Sequence, residues 1–430
     1  MIKIVDWQQL SVAEQAKLLT RPKKITDIEN QVSAIIAAVR KRGDEALLEF
    51  TSQFDKCNLN TLQISEDKIN QAQIGQEALE AIQTAITNIT TYHQSLVPEP
   101  LSITTSTGIN IQRFYRPIQK VGLYIPGGNN TPLISSLLMQ AIPAKIAGCP
   151  IRVLCTPANN QGEINPHLLV AARLCGIDTI YPLGGAQAIA AMAYGTKSII
   201  KVDKIFGPGN SFVTEAKSQV ALDAEGAAID MPAGPSEVLI TADNKANPNF
   251  VAADLLAQAE HGQDSQVLLL CEDKELATLV AQAVIEQSSS LKRQAIIKQS
   301  LTQSAIIVCK PEEQVALINQ YAPEHLIINR QDALDWVSQI TSAGTIFIGP
   351  WAAETLGDYV TGSNHVLPTN GYARNHSGLS TLDFLKSMTV QDVNANGLKK
   401  IGQSAITLAQ LEGLDAHANA VNIRLKYLEN

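Results

Sequence analysis

A glutamine and a histidine stand three residues apart in the stretch LLAQAEHG, residues 255–262. If this stretch ends a helix, the side chains of Gln258 and His261 leave the same face. A histidine one turn from a second polar side chain suggests a metal site, although a neutral amide oxygen is a weak ligand. Taken alone, the stretch is better explained as an ordinary polar helix end.

An adjacent carboxylate and imidazole form the second candidate, in the stretch YAPEHL. Pro323 favours an extended Ala322, which predicts that Glu324 and His325 lie in a loop or at the start of a strand. Both side chains could then reach one cleft, where a histidine that titrates near neutral pH suits acid–base catalysis. For an isolated pair, a surface position at a strand edge is the stronger alternative.

Two further stretches carry possible ligands. In ETLGDYVTGSNHVLPT, Asp358 is a possible hard oxygen ligand and His365 a possible substrate contact, although most such stretches are simply polar loops. In LEGLDAHANAVNIR, Glu412 and His417 flank the apolar stripe of a tail helix, where packing at a domain boundary is the simpler role. The sequence has neither H-E-x-x-H nor a cysteine cluster, so the ligands of any metal ion must converge from distant segments.

Three glycine-rich loops each follow a predicted strand: LYIPGG, PLGGAQ and IFGPGN. In parallel sheets, ligands bind at the carboxyl ends of strands, where glycine lets backbone N–H groups approach phosphates. Three such loops in one sheet favour a nucleotide-sized ligand, although the G-x-G-x-x-G fingerprint of dinucleotide-binding folds is absent. The polar side chains that could hold its sugar or base are Tyr124, Gln187 and Asn210.

The elements that must position these residues alternate between strands and helices from about residue 120. Strands are predicted in VGLYIPGG, IRVLCTPA, TIYPLGG and KVDKIFGPGN, and again in SEVLITAD, QVLLLCED, AIIVCK, HLIINR and TIFIGP. This alternation indicates βαβ units and parallel sheets. Residues 27–100 carry amphipathic helical patterns, a strand-like pair follows, and the tail from about 382 is predicted to be helical.

The predicted fold class is therefore α/β, with two Rossmann-like, incomplete parallel-sheet domains and small helical attachments at both ends. The nucleotide-binding domain is predicted at 120–235. Residues 25–119 lack a complete set of strands, so we expect them to pack with 236–381 in a metal- and substrate-binding domain. The predicted attachments are 1–24 at the N-terminus and 382–430 at the C-terminus.

Composition narrows the class of protein. A net charge of -8 argues against nucleic acid or an anionic membrane as the main partner, because both reward clustered Lys and Arg. The six scattered cysteines indicate free thiols in a reducing cytoplasm rather than a disulfide framework. We expect neither a signal peptide nor a membrane span, since the N-terminal residues lack the basic and apolar regions and the apolar runs are short.

Eight stretches between about residues 121 and 421 together resemble the signature blocks of the histidinol dehydrogenase family, the NAD-dependent enzymes that end histidine biosynthesis. They are, in order, VGLYIPGG, LGGAQAIAAMAYGT, FGPGN, IDMPAGPSE, LLAQAEHG, YAPEHL, GDYVTGSNHVLPT and EGLDAHANAV. The chain departs from the family pattern at Ser363, where Pro is expected, at Phe212, where Tyr is usual, and in SGLS. These departures bear on loop rigidity and remove no ligand or catalytic group.

The resemblance implies a complete site. The zinc ligands would be Gln258, His261, Asp358 and His417, with Glu324 and His325 as the catalytic pair. Ser236, His325, Glu412 and the zinc ligands would line the substrate pocket, with His365 as a further substrate contact, and Tyr124, Gln187 and Asn210 would contact NAD. The family is a homodimer with exchanged C-terminal tails, which implies that Glu412 and His417 act in the partner's site.

The reaction implied is the oxidation of L-histidinol through L-histidinal to L-histidine, with His325 as general base and Glu324 activating water. Two imidazoles, one amide and one carboxylate are a weak set for a closed structural zinc site, so we expect an open site that the substrate's nitrogens complete. Whether zinc or manganese is the native metal stays open. Two alternatives are a related NAD-dependent dehydrogenase of another amino alcohol or diol, and a metal-dependent hydrolase that uses no nucleotide.

Overall fold

The computed structural model describes residues 2–22, 28–127, 132–232 and 234–429. The strands are β1 (Lys3–Asp6), β2 (Leu101–Ser106), β3 (Ile109–Pro117), β4 (Lys120–Tyr124), β5 (Ile151–Cys155), β6 (Ile180–Tyr181), β7 (Lys204–Phe206), β8 (Ala228–Ile229), β9 (Glu237–Ala242), β10 (Gln266–Cys271), β11 (Ala305–Val308), β12 (His325–Asn329), β13 (Thr345–Ile348) and β14 (Leu385–Val393).

The helices lie before, between and after these strands. They are α1 (Val12–Leu19), α2 (Glu29–Arg42), α3 (Asp44–Phe50), α4 (Glu66–Gln71), α5 (Gln76–Ser95), α6 (Ile134–Ala147), α7 (Pro166–Leu174), α8 (Gly185–Tyr194), α9 (Ser211–Leu222), α10 (Pro248–Ala259), α11 (Lys274–Ser288), α12 (Gln294–Thr302), α13 (Pro311–Tyr321), α14 (Ala333–Val337), α15 (Glu354–Tyr359), α16 (Ala395–Leu411) and α17 (Asp415–Tyr427). A π-helical turn, Thr51–Asp55, extends α3. Within the described ranges, no helix combines the length and the apolar content that crossing a membrane requires.

The larger sheet of the described chain is parallel throughout, in the order β1-β11-β10-β9-β12-β13. Its central strands are buried on both faces, which explains why they read as continuous apolar runs rather than as an alternating pattern. The five predicted strands of this region are confirmed. The edge strand β1 was not predicted, because the exposed and half-buried residues of KIVD form no continuous apolar run within the polar N-terminal segment.

The smaller sheet is also parallel, in the order β6-β5-β4-β7-β8 over the described residues. The chain runs outward from β4 through β5 to β6 and then returns to β7, so the strand order reverses between β4 and β7. Ligands of open α/β sheets bind at such a reversal, outside the carboxyl ends of the strands. Two of the glycine loops, LYIPGG and IFGPGN, begin there, and the α/β class with two parallel sheets is confirmed.

Helices α2 to α5 pack against the smaller sheet, which differs from the expected packing of residues 25–119 with 236–381. Helix α2 contacts α8 and α9, and α5 contacts α6. Ile35 and Val39 of α2 share a buried cluster with α8, and Ile82 and Ile89 of α5 share one with α6. An amphipathic pattern shows that one face of a helix is buried, but it does not specify which sheet buries it.

The C-terminal segment begins with a strand rather than a helix. Strand β14 pairs antiparallel with β3, which pairs with β2 to form a three-stranded sheet among the described residues. All but the first residue of β14 are exposed, so the strand has no buried face to leave an apolar signal in the sequence. The tail then forms α16 and α17, which pack against each other and are separated at Gly413, where φ is +71°.

Candidate active site

A cleft of about 470 Å³ lies at the carboxyl end of the smaller sheet and the amino-terminal edge of β9 and β12 in the larger one. It brings together eight of the residues singled out from the sequence. They come from several separate segments, the first and last of which are more than a hundred residues apart. Those residues are Asn210, Ser236, Gln258, His261, Glu324, His325, Asp358 and His365. The sequence has no local metal-binding motif, so a metal site would need ligands from separate segments, and the cleft brings such segments together.

His325 is the buried centre of the cleft, as the first residue of β12. Its Nδ1 lies 3.6 Å from the Oε2 atom of Glu324 and 3.6 Å from the Oε1 atom of Glu354, and its Nε2 lies 3.7 Å from the Oδ1 atom of Asp358. Burial alone would lower the pKa of His325, but the three carboxylates outweigh burial and raise that pKa well above its usual value. The imidazole is therefore held where it can take up a proton.

The backbone before His325 differs from the sequence expectation. Ala322 is left-handed, with φ of +53° and ψ of +67°, rather than extended. It ends α13, and its N–H donates to the carbonyl oxygen of Ile318 at 2.7 Å. The tendency of a proline to extend the preceding residue is here outweighed by the turn that closes the helix. The prediction that His325 begins a strand is confirmed.

Glu354 is a site residue that the sequence reasoning missed. It is the first residue of α15, is almost fully buried, and its Oε2 has no hydrogen-bond partner. Burial raises its pKa to about 8. His325, Glu354 and Asp358 place ligand atoms within 4.8 Å of one another, close enough to hold a metal ion. A signal was available, because an i, i+4 spacing of Glu354 and Asp358 puts both on one helix face, but the polar composition of the stretch is typical of a loop.

Glu324 is anchored by the backbone of β9. Its Oε2 accepts a hydrogen bond of 2.9 Å from the N–H of Glu237. Burial raises the pKa of Glu324 to about 8. Behind it, the carboxylate of Glu237 forms a salt bridge with Arg21, whose guanidinium lies over the ring of Tyr321. The charge of Glu237 is thus neutralised, and Glu324 faces the cleft.

Gln258 and His261 differ in their exposure to solvent. Helix α10 ends at Ala259, as predicted, which leaves Gln258 completely buried in the last turn and His261 exposed beyond it. The Nε2 atom of Gln258 lies 3.2 Å from Nδ1 of His325, while its Oε1 has no partner. A buried amide oxygen without a donor costs free energy unless a cation or a ligand completes it. This orphaned oxygen, with the carboxylate of Asp358 nearby, fits a metal ion.

The loop that carries His365 is tied to helices of the smaller sheet. The Nε2 atom of His365 lies 3.5 Å from the hydroxyl of Ser136, and its Nδ1 lies 2.8 Å from the carbonyl oxygen of Asp358. Beside it, Asn364 donates to the carbonyl oxygen of Met139 at 2.7 Å, and its amide nitrogen lies 3.3 Å from Nε2 of His93. His365 is thereby fixed between the two sheets.

The residues expected to contact NAD lie in two places. Asn210 lines the cleft and caps α9, where its Oδ1 accepts a hydrogen bond from the N–H of Val213 at 3.1 Å. Tyr124 and Gln187 are buried near the carboxyl ends of β4 and β6, and the Tyr124 hydroxyl accepts a hydrogen bond from the N–H of Gly185 at 3.0 Å. Near them, the described chain leaves four shielded polar atoms without a partner: Asp55 Oδ2, Gln140 Oε1, Thr156 Oγ1 and Gln187 Nε2. Such atoms fit a polar cofactor.

A buried ion pair fixes the FGPGN loop at the reversal of strand order. Lys217 of α9 forms a salt bridge with Asp230, and its Nζ donates to the carbonyl oxygen of Gly207 at 2.8 Å. The other oxygen of Asp230 accepts from the N–H of Gly207 at 2.8 Å. Gly207 has a φ of +120°, and a Cβ there would stand 2.0 Å from the carbonyl oxygen of Tyr124. Both the N–H and the carbonyl oxygen of Gly207 are thus held by the ion pair.

Glu412 and His417 are exposed, outside the cleft of their own chain. Glu412 follows the last residue of α16, and His417 lies in the first turn of α17. The structure therefore does not bring these two residues together with the other expected ligands within one chain.

Comparisons with known proteins agree over the whole length. A family model described as histidinol dehydrogenase matches residues 19–425. Curated histidinol dehydrogenases from Legionella pneumophila and Photobacterium profundum are 64% and 49% identical, over 100% of this chain and 100% and 97% of theirs. A crystal structure of histidinol dehydrogenase from Elizabethkingia anophelis is 45% identical, with a TM-score of 0.96, and covers 100% of this chain and 99% of that one. The chain belongs to the histidinol dehydrogenase family.

Proposed function

We propose that this protein oxidises L-histidinol to L-histidine through L-histidinal, using NAD and a zinc ion. The family membership supports the substrate. The observation that carries the site assignment is the position of His325, which is buried among three carboxyl groups and beside the orphaned oxygen of Gln258. That arrangement combines a proton acceptor with a place for a cation.

His325 acts as the general base, first on the alcohol of the substrate and then on the hydrated aldehyde. The imidazole can take each proton because the surrounding carboxylates stabilise its cationic form. Glu324 activates the water that hydrates the aldehyde. Its pKa of about 8 suits a group that must both accept and return a proton near neutral pH.

Gln258, His261, Asp358 and His417 hold the metal ion, and Tyr124, Gln187 and Asn210 contact the cofactor. When bound, NAD supplies a hydride acceptor and zinc orients the substrate. Burial lowers the pKa of the His365 imidazole, which favours its neutral form. The imidazole of His261 can serve as a metal ligand, and neutral His365 can contact the substrate.

A second copy of the chain completes the site in this proposal, supplying Glu412 and His417 through exchanged tails. Support comes from exposed apolar side chains on the tail and near the cleft. Leu411 is 79% exposed and Tyr427 is 80% exposed, and Trp351, just before α15, is 79% exposed. The exposed apolar side chains of the tail recur at three-residue steps around Leu411, and a cluster of this kind is typical of a surface that is covered by a partner.

Turnover of histidinol with NAD, followed by the absorbance of NADH before and after chelation, tests the function. We expect NADH formation that chelation abolishes and zinc restores. His325→Asn should abolish both oxidations while the zinc content stays normal, since this residue is not among the proposed ligands. Turnover of the His325→Asn variant at the wild-type rate would refute the base assignment. If NADH formed with another amino alcohol or diol but not with histidinol, the alternative dehydrogenase would be favoured.

The unusual amide ligand has its own test. Gln258→Glu adds a charge to the metal site, so we expect tighter zinc binding and slower turnover. The same change at the exposed Gln263 serves as the control and should alter neither property. Weaker zinc binding with unchanged activity would contradict the role given to Gln258.

A further inference from the structure

The smaller sheet lacks an acidic residue where a nucleotide-binding βαβ unit commonly has one. In such units, a carboxylate near the end of the second strand accepts hydrogen bonds from the ribose of the adenosine moiety. Here β4, α6 and β5 form that unit, and β5 is followed by Thr156 and Pro157. Neither side chain carries a charge. The hydroxyl of Thr156 is fully buried and has no hydrogen-bond partner.

Asp55 supplies a carboxylate to the same place from a different part of the chain. It is the last residue of the π-helical turn Thr51–Asp55. A Cβ built on Gly184 would stand 2.8 Å from the Cβ of Pro157 and 3.5 Å from the Oδ1 atom of Asp55. Asp55 therefore lies against both the end of β5 and the PLGGAQ loop, where the missing side chain of Gly184 lets the loop approach Pro157 closely.

The surroundings of Asp55 are polar but incomplete. Its Oδ2 is shielded from solvent without a hydrogen-bond partner, as are Thr156 Oγ1 and Gln187 Nε2. Gln187 is almost fully buried and follows directly on the same glycine loop. Thr156 Oγ1 lies beside the LYIPGG loop, 3.6 Å from a Cβ built on Gly127, whereas the other two orphans lie beside the PLGGAQ loop. Buried polar groups in folded proteins are normally paired, so orphans beside these two loops mark the place of a polar ligand.

The charge at this position indicates which ligand fits. Burial opposes ionisation of Asp55 and raises its pKa to about 6, so the carboxyl is still predominantly anionic above neutral pH. None of the salt bridges found among the described residues involves Asp55. An unneutralised carboxylate accepts hydrogen bonds from hydroxyl groups and repels a phosphate.

We propose that Asp55 accepts hydrogen bonds from the adenosine ribose of the nicotinamide cofactor and excludes a 2′-phosphate, so that it determines the preference for NAD over NADP. The inference rests on the proposed NAD-linked function. Thr156 and Gln187 complete the polar wall of the same subsite. The specificity residue thus lies in a helical segment that precedes the nucleotide-binding sheet in sequence, rather than at the end of one of its strands.

Calorimetric titration with ADP-ribose and with 2′-phospho-ADP-ribose tests the proposal without relying on turnover. We expect Asp55→Asn to weaken ADP-ribose binding by on the order of tenfold or more, because a hydrogen bond to a charged acceptor is lost. The ratio of the affinity for ADP-ribose to the affinity for 2′-phospho-ADP-ribose should fall by at least the same factor. In turnover, KM for NAD should rise while kcat changes little. The matched control is Asp67→Asn, at an exposed position of α4, which should change none of these values.

A comparison of ligands on the unmodified protein keeps the proposal testable if Asp55→Asn does not fold. There, 2′-deoxy-ADP-ribose should bind on the order of tenfold more weakly than ADP-ribose. Equal affinity for these two ligands, or an Asp55→Asn variant that folds and keeps the wild-type preference, would overturn the role of Asp55. Failure of the unmodified protein to bind ADP-ribose or NADH at all would instead overturn the cofactor assignment.

Discussion

Replacing Lys217 with methionine is expected to destabilise the protein and weaken cofactor binding together. The side chains of Lys217 and Asp230 are only 3% and 1% exposed, so the substitution leaves a carboxylate without its cation in a dry environment. Removal of one partner from a buried ion pair costs about 3–5 kcal/mol. Asp230 keeps hydrogen bonds from the N–H groups of Gly207 and Met231, which places the expected loss near the lower end, at about 3 kcal/mol.

Urea unfolding followed by circular dichroism measures the loss, and NADH titration measures the effect on the loop. Lys217 also donates to the carbonyl oxygen of Gly207, so we expect NADH affinity to fall as the FGPGN loop loosens. Lys201→Met is the matched control, since the ammonium of Lys201 donates to a carbonyl at the exposed surface. Adding Asp230→Asn to Lys217→Met should recover part of the stability, because the unpaired charge is removed. A Lys217→Met protein within about 0.5 kcal/mol of wild type, with unchanged NADH affinity, would refute the reasoning.

Three further outcomes are expected. Glu354→Gln should lower kcat by on the order of tenfold at unchanged zinc content, because the carboxyl group that lies 3.6 Å from Nδ1 of His325 is replaced by an amide; steady-state kinetics with metal analysis checks this. Gly362→Ala should lower the free energy of unfolding by on the order of 1–3 kcal/mol in a urea titration, because φ is +107° and the new Cβ would stand 2.5 Å from the carbonyl oxygen of Asn88. Burial lowers the pKa of His93 to about 4, so unfolded His93 takes up a proton first as the pH falls from 6.5 to about 4, and stability is lost in that window. In the His93→Gln variant, the free energy of unfolding should fall by up to about 3 kcal/mol less than in the wild type over the same pH range, as measured by urea titrations at each pH.

Much of the fold follows from local patterns. Strands such as β9 and β10 are buried on both faces, so their apolar runs identify them without reference to the rest of the chain. Strand β14 was missed because its residues face solvent, and β1 because its exposed and half-buried residues form no continuous apolar run. The partners of α2 and α5 were assigned to the wrong sheet, since burial of a helix face does not name the surface that covers it.

Some site residues could likewise be predicted from local sequence patterns, whereas others are revealed only by the folded structure. Residues such as Gln258 and His325 could be found because they stand in stretches with a recognisable pattern. Glu354 was missed although it heads a stretch that was singled out; only the fold reveals that its carboxyl group is buried against His325. Asp55 gave no signal, because a single acid in a polar helical segment becomes distinctive only when the loops of the smaller sheet are folded against it.

The amide of Asn364 has a consequence for how the cleft can move. This buried side chain donates to the carbonyl oxygen of Met139 and accepts a hydrogen bond from the N–H of Val366 at 2.9 Å. A hinge motion that separated the His365 loop from α6 would have to break the first of these bonds, at a net cost of about 1 kcal/mol. We therefore expect the His365 loop and α6 to move together as one rigid body when ligands enter or leave the cleft.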